Sequence, residues 1–178
     1  MTRLAVIAGV GFVLAVGAYP DAPPPAHTGG FGEPTCHRCH FGQPLDAPGG
    51  VLTLEGVPAR YEAGRRYVLT VTLARAGMER AGFQLTARTA GGAQAGALAP
   101  HDAGTAVAIV DSTGIRYAGH AEAGSHLASP DTARWRLVWT PGASADTVFF
   151  HVAANAANGD ASEFGDYVYR QMAHATSE

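Results

Sequence analysis

The sequence predicts an all-β protein built as an antiparallel sandwich, and three observations predict it. The 23 glycines and 11 prolines set turns throughout a chain of 178 residues. Beyond residue 50 the apolar residues recur with period two, in about eight short runs separated by turn signals. No stretch after the first twenty residues holds a strong helical period.

Residues 1–19 form the first segment. Arg3 is the only charge before Asp21, and 4–18 is an unbroken apolar run ending in the small residues Val16 and Ala18. That pattern is an export signal, retained as an anchor helix or cleaved after Ala18. The run is short for a membrane span, which needs roughly 17–25 residues, and comes close to that length with Met1, Thr2 and Tyr19 included. With Arg3 on the cytoplasmic side, the remainder is exported, and a retained helix would tether it on the periplasmic face of the inner membrane. Cleavage would instead release a soluble periplasmic protein.

Residues 20–34 are a proline- and glycine-rich linker, with Pro23, Pro24 and Pro25 as a stiff spacer. Residues 35–50 carry the chemistry, 51–172 the sandwich, and 173–178 a tail. The strands are expected at 51–55, 67–74, 82–89, 105–110, 115–120, 134–140, 147–153 and 166–171. In 82–89, Phe83, Leu85 and Ala87 share a face; in 134–140, Trp135, Leu137 and Trp139 oppose Arg134, Arg136 and Val138. Ala90-Gly91-Gly92, Asp111-Ser112-Thr113-Gly114 and Thr140-Pro141-Gly142 supply turns between them.

The only two cysteines lie in Cys36-His37-Arg38-Cys39-His40, which fits Cys-x-x-Cys-His, the attachment site of a c-type haem. Two thiols at this spacing reach the two vinyl groups of one porphyrin, and the next residue places an imidazole beneath the iron. The expected cofactor is one haem c, bound covalently through Cys36 and Cys39 with His40 as proximal ligand. Three other uses compete. An exported pair without haem would oxidise to a disulfide, though a loop this small adds little stability. Thiol exchange wants the motif at a helix start after a strand, whereas prolines and glycines flank it here. A metal site could draw on Cys36, Cys39, His37 and His40, although His37 lies between the thiols.

From about Gly30 to Tyr169 the chain resembles the bacterial reeler-like, or choice-of-anchor V, domains. The matching pieces are Thr35-Cys36-His37-Arg38-Cys39-His40, Tyr61-Glu62-Ala63-Gly64 with Tyr67-Val68-Leu69-Thr70-Val71, and Gly82-Phe83-Gln84-Leu85-Thr86-Ala87. They continue with Tyr117-Ala118-Gly119-His120, Trp135-Arg136-Leu137-Val138-Trp139-Thr140 and Asn155-Ala156-Ala157-Asn158-Gly159-Asp160. The resemblance implies an immunoglobulin-like sandwich with the cysteine segment laid against it. It also points to His120 as distal iron ligand, with His126, His101, His151, Met78 and Met172 ranked behind it.

The net charge of −3, with every basic residue an arginine and none clustered, argues against nucleic acid as a partner. No nucleophile elbow, phosphate loop or paired-carboxylate motif is present, so no enzyme activity is expected. Asn155, Asn158 and Asp160 offer oxygens but too few carboxylates for calcium, and read as a turn. The leading expectation is an exported, membrane-tethered monohaem cytochrome serving a membrane redox complex or another cytochrome. The alternative is an extracytoplasmic reeler-like binding or adhesion module with a Cys36–Cys39 disulfide.

Overall fold

The computed structural model describes residues 22–102, 106–143 and 146–178. The apolar segment 1–19, expected as a signal or anchor helix, lies outside them. The helical pieces among the described residues are two 3-10 turns, Cys36–Arg38 and Glu122–Ser125. The expectation of a transmembrane helix is corrected for these residues: no helix among them is long and apolar enough to cross a membrane.

Ten strands are present among the described residues: β1 (Gly50–Glu55), β2 (Arg60–Tyr61), β3 (Tyr67–Arg75), β4 (Arg80–Thr89), β5 (Ala97–Pro100), β6 (Val107–Ser112), β7 (Ile115–His120), β8 (Thr132–Thr140), β9 (Val148–Ala157) and β10 (Tyr167–Ser177). They build a four-stranded sheet in the order β1-β3-β8-β5 and a six-stranded sheet in the order β2-β10-β9-β4-β7-β6. The pairs are antiparallel except β2 with β10, where Arg60 and Tyr61 run parallel to Thr176 and Ser177.

β2 and β5 were not expected. β2 is two residues long, and β5 ends in Pro100 at a sheet edge, where a missing N–H is tolerated. β9 also runs on to Ala157, beyond the expected end at 153. Alanine is a poor strand former, but here both neighbours hold the backbone: Asn155 pairs with Gly82 of β4 and Val168 of β10. β10 likewise continues to Ser177, because His174 and Ala175 still pair with Phe149 and Val148.

The two sheets bury one apolar core. Phe83 stacks on Trp135 with centroids 4.6 Å apart, and Trp139 meets Phe150 edge-on at 4.8 Å, so aromatic pairs tie sheet to sheet. Each buried indole finds an acceptor: Trp135 Nε1–H donates to the Gly124 carbonyl at 2.7 Å, and Trp139 Nε1–H to that of Ala95 at 2.8 Å.

The other face of the six-stranded sheet is covered too. Residues 22–48, the composition-derived spacer and the cysteine segment together, lie across it as a strap. Gln84 Oε1 accepts from the His27 amide at 2.7 Å while its Nε2 donates to the Pro24 carbonyl at 2.9 Å. Gly119 meets the Pro23 ring, and Gly30 lies against the His151 ring, so each has no room for a side chain. Glu33 pairs with Arg88 and accepts from Tyr117 Oη at 2.6 Å. Asp46 closes the far end, accepting from the Arg170 amide and its Nε, both at 2.9 Å.

Candidate functional site

The Cys36–His40 segment is folded by its own local bonds. Thr35 caps the 3-10 turn, its Oγ1 accepting from the His37 amide at 3.2 Å. The Cys36 carbonyl then accepts from both the Cys39 amide (3.1 Å) and the His40 amide (2.9 Å). Cys39 is exposed and Cys36 half-buried, and burial pushes the Cys36 thiol up to about 12. Cys36 opens only a three-residue 3-10 turn, not an α-helix of the kind that lowers a thiol's pKa.

Main-chain bonds clamp this segment to the stretch before β10. The Phe41 amide donates to the Glu163 carbonyl at 2.9 Å and the Gly165 amide donates to that of Phe41 at 3.0 Å. Phe41 and Phe164 meet edge-on at 4.9 Å, with Phe164 57% exposed. The clamp brings His40 to Asp166, 126 residues away in the chain: Nδ1 lies 2.7 Å from Asp166 Oδ2. The imidazole is 38% exposed and the carboxylate 0%.

Asp166 is itself held. Asn155 Nδ2 donates to Oδ2 at 3.0 Å, and the Asn158 amide donates to Oδ1 at 3.1 Å. Asn155 Nδ2 also lies 3.1 Å from His40 Nδ1, while the buried Asn155 Oδ1 has no partner. With the proton of His40 on Nδ1, donated to Asp166, Nε2 is left as the basic nitrogen.

His120 sits on the same sheet face. Its ring fills the space over Gly82, whose partner on the adjoining strand is Asn155, the residue that touches His40. His120 Nδ1 lies 3.2 Å from the Phe83 amide nitrogen and 3.4 Å from the Phe83 carbonyl, which anchors the ring to β4. The remaining ranked candidates are placed elsewhere or otherwise engaged. His126 contacts Arg80, His101 contacts Asp102 and Arg136, and His151 lies edge-on to Phe31 under the strap. Met78 is in the core and Met172 is exposed on the last strand.

The expectation of a metal-binding group is corrected. Among the described residues no three His, Cys, Asp or Glu side chains converge to hold a metal ion. In particular the four-ligand set of Cys36, Cys39, His37 and His40 does not form, because His37 Nε2 is bonded to the Gln43 carbonyl at 2.8 Å. Of the expected 155–160 turn, residues 155–157 belong to β9 and the turn starts at Asn158, whose Oδ1 accepts from the Asp160 amide at 3.1 Å, while Asp160 Oδ1 accepts from the Ser162 amide at 2.8 Å. Asn155 turns away from it toward Asp166.

Asp166 and Asn155 were not foreseen as partners of the cysteine segment. No local pattern links residues so far apart, and the only signal was a carboxylate near the C-terminus without an evident role.

Comparison with solved structures defines the class as a reeler-like β-sandwich. The reeler domain of human F-spondin matches with a TM-score of 0.50 at 16% identity, over 77% of this chain and 95% of that one. The Reelin-N domain of F-spondin matches with a TM-score of 0.50 at 17% identity, over 80% and 95%. At such identities the likeness is one of fold. No family model matches the chain, and no curated protein matches it. The reeler part of the expected resemblance therefore stands as fold, the choice-of-anchor part is not shown, and cytochrome as a description of the chain's class is corrected to reeler-like sandwich.

Proposed function

We propose that the chain is an extracytoplasmic binding module of reeler type, exported by its first nineteen residues. The observation that supports this reading most directly is a sandwich whose interior is filled by Phe83, Trp135, Trp139 and Phe150. A ligand then meets loops and the strap, where Cys36, Cys39 and His40 are gathered at one edge. On this reading the two thiols close as a disulfide outside the cytoplasm.

One observation favours a second reading, in which the same loop takes a covalently attached haem. A carboxylate on Nδ1 is what orients an imidazole as an axial base, and His40 has it in Asp166. The residues present fit the group: Cys36 and Cys39 would supply thioethers, His40 Nε2 the proximal nitrogen, and His120 lies on the same face. When bound, haem would supply one-electron chemistry. The chain's own part is to fix the imidazole and seat the loop.

Intact mass and an absorption spectrum of the protein exported from a bacterium able to mature c-type haem separate the two. A mass two hydrogens below the reduced chain without a Soret band supports the binding module. One haem of added mass with a c-type α-band replaces it by the second reading.

A further inference from the structure

We infer that Asp166 is the positioning residue of His40, holding the imidazole in the Nδ1–H form so that Nε2 is presented as an axial base to haem iron. The inference rests on the haem reading. Three features carry it. The carboxylate is wholly buried, and it touches the only histidine of the cysteine motif that follows the second thiol. It is fixed from two directions, by Asn155 within β9 and by the Asn158 amide, immediately before β10 begins. And the loop bearing His40 is held to the neighbouring backbone by the paired bonds of Phe41 with Glu163 and Gly165, which bring ring and carboxylate together in the folded chain.

The consequence is a division of labour. Cys36 and Cys39 decide where a porphyrin is attached, whereas Asp166 decides which nitrogen faces it and strengthens that nitrogen as a donor. Asn155 keeps Asp166 in register by donating to the same oxygen that accepts from His40.

The test uses the full chain carrying Cys36→Ser and Cys39→Ser, so that no thioether masks the imidazole's contribution, with haemin as the probe. Titration is followed by the Soret shift. Asp166→Ala should weaken haemin binding about 10–100-fold, the usual size of a lost outer-shell partner. His40→Ala should weaken it at least as much, and adding Asp166→Ala to His40→Ala should cost nothing further. Nitrogen NMR of His40 in the haem-free protein should show the Nδ1–H form in the parent and its loss in Asp166→Ala, with circular dichroism confirming the fold. Unchanged affinity and unchanged tautomer in Asp166→Ala, or an equal loss with His40 already removed, overturns the positioning role. A different outcome sinks the haem reading alone: no covalent haem on the exported protein and no haemin binding by the parent, while the tautomer still follows Asp166.

Discussion

The imidazole of His120 occupies the space a side chain at position 82 would need, with Cε1 2.6 Å from where a Cβ would stand. Gly82→Ala should therefore cost roughly 1–3 kcal/mol, the range for overpacking, despite alanine's better backbone entropy in a strand. In a His120→Ala background most of that cost should vanish, and a denaturation double-mutant cycle reads the coupling. Additive losses would mean that the ring moves aside freely and does not define the surface beside Asn155. The same scale shows what sequence can and cannot give. Cys36, Cys39 and His40 are legible because their spacing is local and chemically specific. Asp166 is not, because its role comes from a 126-residue closure that only the fold makes.

At the scale of elements, the eight expected strands are present because their alternation and their turns agree. The period-two face of β4 is right in Phe83, Leu85 and Ala87, yet the opposite residues Gln84, Thr86 and Arg88 are buried as well. Alternation alone would leave that face in solvent. What it lacks is the strap, whose composition reads as a spacer because prolines and glycines carry no period. The clasp of strap to sheet is Glu33 with Arg88 and Tyr117. Burial works to raise the Glu33 carboxyl, but hydrogen bonds from Thr28 and Tyr117 and the charge of Arg88 outweigh it and hold the group below its ordinary value. A depressed carboxylate contributes stability above its unfolded value and loses it as pH falls through the lowered one. The thermal midpoint of the parent should thus exceed that of Glu33→Gln at neutral pH, and the gap should close as pH drops below the glutamate range. Arg88→Ala, which leaves the partly buried carboxylate without its cation, should cost more than Glu33→Gln at neutral pH. A gap that persists in acid would show that the clasp is held by shape and not by charge.

Across the whole molecule the chain has two interiors of different kind. Between the sheets the contacts are apolar and aromatic. Under the strap they are polar: Thr28, Thr35, Gln84, Thr86, Arg88, Asn155 and Asp166, the buried polar residues among those described, belong to the strap, to the outer sheet face it covers or to the adjoining turn before β10. The first kind is non-directional and survives small shifts. The second depends on individual hydrogen bonds that water can replace once the strap lifts, each worth only about 0.5–1.5 kcal/mol net. The strap should therefore open as a unit at lower free energy than the sandwich. Native-state hydrogen exchange tests this on amides that the fold pairs internally. Those of Gly29, Glu33, Cys39 and His40 should exchange through a low-energy opening, while Leu69, Val71 and Phe150 exchange only with global unfolding. Glu33→Gln should speed the first group and leave the second unchanged. Equal protection in both groups would mean that strap and sandwich fold as one unit. The cysteine loop would then be as rigid as the core, and a covalent ligand could join it only before folding was complete.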